Sequence, residues 1–279
     1  MRLVIQGSAI TFAHLAHIHQ MCTTSVQFTQ IAQHAYYLAN QTVKNPSVLE
    51  FCAAQHIDCA YVEDNHLIKN YGLCVMDMDS TLISIECIDE IADMVGIKPQ
   101  VAAITERAMQ GELDFAQSLR ERVALLKGLT ETDLLRVLNE RLKLNPGAKE
   151  WIQTCKQHNI KTLLVSGGFT FFAERVKEML GLDYAVSNTL EIIDGKLTGK
   201  VVGDIVDAQR KADELIKLRE KLSLNASQTI AIGDGANDLK MMAAAGIGIA
   251  YHAKPVVQAQ ATYAINQLGL DGAITLLNT

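Results

Sequence analysis

Two acidic clusters in the sequence have the composition of a metal site. Asp77 and Asp79 are two residues apart in the string D-M-D-S-T, and Asp234 and Asp238 lie in the string G-D-G-A-N-D. Each cluster follows an apolar run, and if both runs are parallel strands, their carboxyl ends lie at one edge of a sheet. Carboxylate oxygens are the ligands that Mg²⁺ prefers. The sequence therefore predicts a Mg²⁺ site, although either cluster taken alone could be a metal-free turn with solvated acids.

A third polar segment, Ser166-Gly167-Gly168, follows the apolar run 163–165 and precedes a helical pattern. A hydroxyl group and main-chain N–H groups at the start of a helix form an anion site. The alternative is that Ser166 only caps the helix that follows it. Next to a metal site, such a segment predicts that the substrate is a small anion.

The elements that must position these residues are typical of an α/β protein, because short β-branched runs alternate with helical spacing. Most of the short runs are continuously apolar, as expected for parallel strands covered on both faces. Helical patterns of crossover length separate them, which predicts a doubly wound parallel sheet. The predicted strands are 73–76, 161–165, 184–187, 229–232 and 247–250, and the predicted helices between them include 148–158, 171–180 and 209–222.

Other stretches depart from this alternation. Residues 83–142 have a helical pattern throughout and no strand candidate, which predicts an inserted helical cap. Asp194-Gly195, between two alternating runs, predicts a type I′ hairpin. Residues 1–70 form a small N-terminal α/β module, which could bind a regulatory amino acid, form a dimer contact or stabilise the rest. We therefore divide the chain into 1–70 and 71–279, with the cap at about 83–142.

The composition limits the class of protein. The chain has 279 residues, enough for about two domains. Its 25 Lys and Arg against 31 Asp and Glu give a net charge of −6, which argues against nucleic acid or an anionic membrane as the main partner. The six cysteines have neither C-x-x-C spacing nor the density of a disulfide scaffold, which indicates a reducing cytosol. Without a recognisable signal peptide or membrane span, we predict a cytoplasmic protein, and a homo-oligomer stays open.

Together, the three strand ends resemble the motifs of the haloacid dehalogenase (HAD) superfamily. The D-M-D-S-T string is similar to the first motif, Ser166 to the second, Lys211 to the third and G-D-G-A-N-D to the fourth. The residues alone do not separate Lys211 from Arg210, and only the family register selects Lys211. The resemblance covers about 73–277 and implies a HAD-like Rossmannoid core with an inserted cap. Further matching segments are 88–92, 118–123, 165–169 and 194–199.

The resemblance implies roles for the strand-end residues. Asp77 would be the nucleophile that forms an aspartyl-phosphate, and Asp79 would be first a general acid and then a general base. Mg²⁺ would be held by the Asp77 carboxylate, the Asp79 main-chain carbonyl and Asp234, with Asp238 orienting metal-bound water. The groups that would bind phosphoryl oxygens and stabilise their charge are Ser166, the Gly167 N–H, Lys211 and Asn237.

The resemblance is greatest to the members that hydrolyse O-phospho-L-serine, and it implies that the cap recognises this small-molecule substrate. Glu86 matches the partner of the substrate ammonium group and Arg122 the partner of its carboxylate. Met109 and Phe115 match apolar walls that exclude water. The residues alone also allow simpler roles. Glu86 could be an acid in the first turn of a helix, Arg122 a surface side chain, and Met109 and Phe115 core side chains. The function could also be hydrolysis or transfer of another small phosphomonoester, or non-catalytic sensing of a phosphorylated metabolite.

Overall fold

The computed structural model of the chain describes residues 1–22 and 25–278. In this part of the chain, the strands form a four-stranded sheet near the N-terminus and a seven-stranded sheet beyond it. The first sheet and its helices comprise β1 (Arg2–Gln6), α1 (Phe12–Met21), β2 (Thr29–Ala32), β3 (Ala35–Leu38), α2 (Pro46–Ala54) and β4 (Asp58–Val62). The second part comprises β5 (Leu73–Met76), α3 (Cys87–Met94), α4 (Lys98–Met109), α5 (Phe115–Ala124), α6 (Glu131–Glu140), α7 (Ala148–Gln157), β6 (Lys161–Phe169), α8 (Thr170–Leu180), β7 (Tyr184–Ile193), β8 (Lys196–Val202), α9 (Ala208–Lys221), β9 (Thr229–Gly233), α10 (Leu239–Ala244), β10 (Ile247–Tyr251), α11 (Pro255–Gln258), β11 (Tyr263–Ile265) and α12 (Gly272–Leu277).

The large sheet has the order β11-β10-β9-β5-β6-β7-β8. All of its neighbouring pairs are parallel except β7 and β8, which form an antiparallel hairpin. The chain runs outward from β5 through β6 and β7 on one side, and through β9 to β11 on the other. The strand order therefore reverses at β5, and in such sheets ligands bind at the carboxyl ends of the strands next to this point. The predicted α/β fold class is confirmed.

Both faces of the large sheet are covered by helices. On β5, Cys74 and Met76 belong to one apolar cluster and Leu73 and Val75 to another. The first cluster includes Trp151 of α7, and helices α9 and α10 pack on the opposite face. Continuous apolar strands follow from this arrangement, because side chains on both faces of each strand are buried.

The cap helices α3 to α6 leave the sheet and return to it through two adjacent segments. Ile83, on the outgoing segment, forms a β-bridge with Leu144 on the returning one. The Asn145 side-chain amide donates to the main-chain oxygens of Ser80, Thr81 and Ile83 at 2.8 to 3.2 Å. This amide therefore joins the two connections at the base of the cap.

The β7–β8 hairpin turns at Asp194 and Gly195, whose φ angles of 49° and 72° are both positive, as a type I′ turn requires. The hairpin also contacts the cap. Leu197 accepts a hydrogen bond from Gly128 and donates one to Leu129, both at 2.8 Å. The hairpin thus supports the segment between α5 and α6.

The N-terminal sheet has the order β2-β3-β1-β4 and is antiparallel. Leu3 and Ile5 of β1 pack in a cluster with α1 and α2, whereas Val4 belongs to the main apolar cluster of the large sheet. Both faces of this small sheet are therefore covered. Within the described residues, no helix has the length and apolar character needed to cross a membrane.

Candidate active site

Most of the predicted site residues lie around one cavity at the carboxyl ends of β5, β6 and β9; Lys211, Asp238 and Met109 do not line it. Its volume is about 170 Å³, and both the sheet and the cap contribute to its walls. The sheet side includes the two acids after β5, the glycine-rich segment of β6 and two residues after β9. Of the predicted site residues, those that line this cavity are Asp77, Asp79, Glu86, Phe115, Arg122, Ser166, Gly167, Asp234 and Asn237.

Asp77 forms an ion pair with a buried cation, Lys211. Its Oδ2 lies 2.7 Å from Nζ of Lys211, whose exposed fraction is 1%, and its Oδ1 accepts a 2.7 Å hydrogen bond from the N–H of Met78. Burial lowers the pKa of Lys211, but the charges of Asp238 and Asp77 outweigh it and raise that pKa above its usual value. The neighbouring Arg210 is partly exposed and pairs with Glu214 instead. Of the two candidate cations, only Lys211 therefore reaches the acids.

Three carboxylates meet beside the cavity, and two of them, Asp77 and Asp234, line it. Oxygen atoms of Asp77, Asp234 and Asp238 all lie within 4.8 Å of one another. Burial and the charge of Asp77 raise the pKa of Asp234 to about 6, and they also raise the pKa of Asp238. Such repulsion between buried acids is relieved by a bound cation, and an all-oxygen donor set fits a hard divalent ion. The cluster could therefore hold a metal ion.

Within this cluster, Asp234 and Asp238 differ in their hydrogen bonds. Asp238 accepts from Lys211 Nζ at 2.8 Å through Oδ1 and from the N–H of Gly235 at 3.1 Å through Oδ2. Asp234 accepts from the Thr81 hydroxyl at 3.0 Å through Oδ1. Asp77 and Asp234 line the cavity, whereas Asp238 is 0% exposed and does not, so Asp77 and Asp234 are better disposed to contact an ion directly.

Asp79 differs from Asp77 in its surroundings. Its Oδ2 accepts a 3.2 Å hydrogen bond from the N–H of Cys87, and its Oδ1 is buried with no hydrogen-bond partner among the described residues. Burial and the negative charges of Glu86 and Asp77 raise the pKa of Asp79 well above its usual value. The Asp79 carboxyl therefore retains its proton more readily than an ordinary aspartate and can serve as an acid.

The glycine-rich segment lies in a bulge of β6 and not at the start of a helix. We predicted a strand ending at 165, but β6 continues to Phe169, and α8 begins at Thr170. Ser166 is therefore not the N-cap of α8; its hydroxyl accepts a 2.9 Å hydrogen bond from the N–H of Gly168. A Cβ atom on Gly167 would lie 2.9 Å from Cζ of Phe115, so any other residue here would require the Phe115 side chain to move.

The two charged cap residues face the same cavity from different helices. Glu86 precedes α3 and accepts a 2.6 Å hydrogen bond from the Ser80 hydroxyl, and burial raises its pKa. Arg122 on α5 donates from Nε to the main-chain oxygen of Ser118 at 3.4 Å, and burial lowers its pKa. Within the described residues, Arg122 has no carboxylate within 4.0 Å. Its guanidinium group is thus available to an anionic ligand.

The two apolar cap residues occupy different positions. Phe115 lies at the inner cavity, against Gly167. Met109 does not line that cavity; it is 69% exposed and borders a wider opening together with Val256. The reason is its place as the last residue of α4, on the solvent side of the cap.

Two contacts in the site were not predicted from the sequence. Thr81 lies within the first motif and could have been proposed as a hydroxyl partner of an acid, and it contacts Asp234. The second is Cys87, which is buried and whose main-chain N–H donates to Asp79. Main-chain contacts of this kind have no signature in the residue type.

Comparisons with known proteins agree with the geometry. The family model of haloacid dehalogenase-like hydrolases matches residues 71–246. A phosphoserine phosphatase of Haemophilus influenzae is 45% identical over 278 residues, which are 99% of this chain and 88% of that protein, so the likeness includes residues 1–70. The unliganded crystal structure of a probable phosphoserine phosphatase from Vibrio cholerae superposes with a TM-score of 0.87 at 42% identity, covering 99% of this chain and 86% of that one. A structure of a phospho-aspartyl intermediate analogue of phosphoserine phosphatase gives a TM-score of 0.69 at 40% identity over 74% of this chain and 99% of that one. This chain therefore belongs to the haloacid dehalogenase-like hydrolases and, within them, to the phosphoserine phosphatases.

Proposed function

We propose that the chain is a Mg²⁺-dependent phosphatase that converts O-phospho-L-serine and water to L-serine and phosphate. The observation that carries this proposal is the composition of the inner cavity. It combines the Asp77 and Asp79 pair with one unpaired cation, Arg122, and one acid, Glu86, on the cap. A phosphorylated amino acid needs all of these groups, because it presents a phosphate, an ammonium group and a carboxylate.

In the first step, a carboxylate oxygen of Asp77 attacks phosphorus, and the bond between phosphorus and the serine oxygen breaks. The departing oxygen keeps the bonding electron pair and takes a proton from Asp79, which releases L-serine. Support for Asp79 as the acid comes from its raised pKa and from its buried, unpartnered Oδ1. Asp77 then carries the phosphoryl group as an aspartyl-phosphate.

In the second step, water attacks phosphorus while Asp79, now a carboxylate, accepts the proton of that water. The bond between phosphorus and the Asp77 oxygen breaks, the oxygen keeps the bonding electron pair, and the Asp77 carboxylate is restored as inorganic phosphate is released. The hydroxyl of Ser166 and the N–H of Gly167 would donate to phosphoryl oxygens in both steps, assisted by Asn237. Lys211, which pairs with Asp77, would neutralise part of the negative charge on the phosphoryl oxygens.

The acidic cluster would hold Mg²⁺ through Asp77, Asp234 and the main-chain carbonyl of Asp79. When bound, the ion would reduce the repulsion between the carboxylate nucleophile and the phosphate dianion. Asp238 would act from behind these ligands, since it is fully buried, does not line the cavity and is held by Lys211 and the N–H of Gly235.

The cap would select the substrate. Arg122 can bind a carboxylate through two parallel N–H donors, and Glu86 can accept from an ammonium group. Phe115 would close the cavity over Gly167, and Met109 would act only at the outer opening. We further propose that the reaction, which releases L-serine, is the last step of L-serine biosynthesis. We also propose a cytoplasmic location, for which the six unpaired cysteines give support because they suit a reducing compartment.

A panel of phosphomonoesters, with phosphate release as the readout, tests this proposal. O-phospho-L-serine should have the highest kcat/KM, ahead of O-phosphoethanolamine, which lacks the carboxylate, and the phosphate ester of 3-hydroxypropanoate, which lacks the ammonium group. EDTA should abolish turnover and Mg²⁺ should restore it. Equal rates on the three substrates would remove the cap residues from recognition, and full activity in EDTA would remove the metal.

A further inference from the structure

Asn188 lies beside the glycine-rich segment and belongs to none of the motifs that the sequence presents. Its exposed fraction is 0%, and its main chain on β7 pairs with Phe169 of β6. Between Val165 and Phe169, β6 has three residues where β7 has one, so the parallel ladder is interrupted. The main-chain groups of 166–168 therefore cannot all pair with β7 and need other partners.

The side-chain amide of Asn188 supplies one of these partners and also reaches a second loop. Its Nδ2 donates to the main-chain oxygen of Gly167 at 2.8 Å, and its Oδ1 accepts from the N–H of Val206 at 2.8 Å. Only one orientation of the amide makes both bonds, because one end donates and the other accepts. No side chain of similar size that only donates or only accepts can replace it.

The two loops that Asn188 joins carry the groups that would hold the phosphate. Gly167 offers its own N–H, and Val206 directly precedes Asp207, the N-cap of α9. Lys211 lies in the first turn of this helix, where its N–H donates to the oxygen of Asp207 at 3.0 Å. A Cβ atom on Gly167 would lie 3.5 Å from the main-chain oxygen of Val206, so the loops are close enough for one residue to set their spacing.

We propose that Asn188 is a positioning residue, which holds the Gly167 N–H and the Lys211 ammonium group in register around one phosphoryl group; this proposal rests on the phosphatase activity proposed above. Asn188 does not line the inner cavity, and it contacts neither Glu86 nor Arg122. It therefore acts on the phosphate and not on the amino-acid part of the substrate. Its loss should affect all phosphomonoesters by the same factor.

Two variants with a matched control test this role. Asn188→Leu removes both hydrogen bonds, and Asn188→Asp keeps an acceptor for Val206 but sets a second acceptor against the Gly167 oxygen. Each should lower kcat/KM for O-phospho-L-serine and for p-nitrophenyl phosphate equally, by about 10- to 100-fold, and should weaken inhibition by orthovanadate, because small displacements of positioned groups cost rate. Thr162→Val is the control, since Thr162 is equally buried and joins β6 to Asp183 at the opposite end of the same strand pair.

The control should lose thermal stability and keep its kinetics. If Asn188→Leu, like Thr162→Val, keeps the wild-type kcat/KM, the proposal is overturned. If the leucine variant does not fold, the same comparison is made with Asn188→Asp. A larger loss on O-phospho-L-serine than on the aryl phosphate also overturns it. If the wild-type protein hydrolyses only the aryl phosphate, the proposed substrate is wrong and Asn188 is judged on that ester. If it hydrolyses neither, the proposed function is wrong. The role of Asn188 is then tested by measuring the Kd for orthovanadate, which the Asn188 variants should raise and Thr162→Val should not.

Discussion

Asp77 and Asp79 are two residues apart, yet their surroundings suit opposite tasks. Asp77 receives an ion pair from Lys211 on Oδ2 and a main-chain hydrogen bond from Met78 on Oδ1. Asp79 is buried near two other acids, which raises its pKa and favours the protonated form. A nucleophile must be ionised and a general acid must carry a proton, so the two surroundings match the roles that we propose.

The proposed division of roles predicts a specific failure in Asp79→Asn. Asparagine cannot protonate the serine oxygen, so turnover of O-phospho-L-serine should fall by about 10²- to 10⁴-fold. p-Nitrophenolate leaves without protonation, so the first step on the aryl phosphate should survive, whereas the second step, which needs a base, should be slow. Stopped-flow absorbance should then show a burst of about one nitrophenolate for each active site.

Asp77→Asn is the control for this burst, because it removes the nucleophile and should give neither burst nor turnover. Its far-ultraviolet circular dichroism should match that of the wild-type protein. A burst in Asp77→Asn, or steady wild-type turnover in Asp79→Asn, would contradict the assignment of roles.

At the level of strands and helices, the sequence predicted the central part of the fold well. The buried strands β5, β9 and β10 were predicted within one residue of their ends, because strands covered on both faces are continuously apolar. Strand β2 was not predicted, since most of its residues are exposed and give no apolar alternation. The extension of β6 through two glycines was missed for a related reason: a bulge follows backbone geometry, which glycine permits but does not specify.

The acids at the strand ends could be found from the sequence because their spacing relates them to the strand itself. Asn188 could not, because a single asparagine in a strand has no pattern until the bulge opposite it is known. The outward position of Met109 has the same origin, since it depends on where α4 ends. Sequence patterns therefore identify residues whose position is determined by a single strand or helix. They miss residues whose role depends on how two such elements pack against each other.

The cap residues depend on such a contact, since Glu86 and Arg122 lie before α3 and on α5, respectively, and meet at one cavity. Arg122→Ala should raise KM for O-phospho-L-serine by about 100-fold, the loss expected when a buried charged hydrogen-bond partner is removed. KM for p-nitrophenyl phosphate should change little, because this ester has no carboxylate. Arg120→Ala, an exposed position on the same helix, is the matched control and should keep both KM values. Equal KM increases on both esters would remove Arg122 from recognition.

Over the whole molecule, the net charge of −6 is compatible with an anionic substrate because the cations are local. Lys211 lies beneath the nucleophile and Arg122 faces the cavity from the cap, and the acids between them could hold a metal ion. In physiological salt, exposed charges that are more than about 8 Å apart are largely screened from each other. The cations near the cavity therefore decide whether a phosphate binds, and the net charge of the whole chain does not.

The N-terminal module joins the rest of the chain through buried polar contacts as well as apolar ones. Arg2 donates to the main-chain oxygen of Leu276 at 3.1 Å, and the carboxylate of Asp58 accepts from the N–H groups of Asn266 and Gln267 at 2.8 and 2.9 Å. The division of the chain at about residue 70 stays a prediction. These contacts nevertheless indicate that the two parts unfold together.

Asp58→Ala tests this coupling because it leaves two main-chain N–H groups without their acceptor. We expect the free energy of unfolding in urea to fall by about 1 to 3 kcal/mol, in a single transition and with unchanged kcat/KM, since Asp58 does not line the catalytic cavity. Asp64→Ala is the control: Asp64 is 76% exposed and pairs only with the N-terminal amine in the part of the chain described, so its loss should cost less than about 0.5 kcal/mol.

Two separate transitions in Asp58→Ala, or equal effects of the two variants, would show that the module folds independently of this contact. A fall in kcat/KM that tracks the lost stability would instead show that the module also shapes the catalytic site, through the loop after β11 that Asp58 holds.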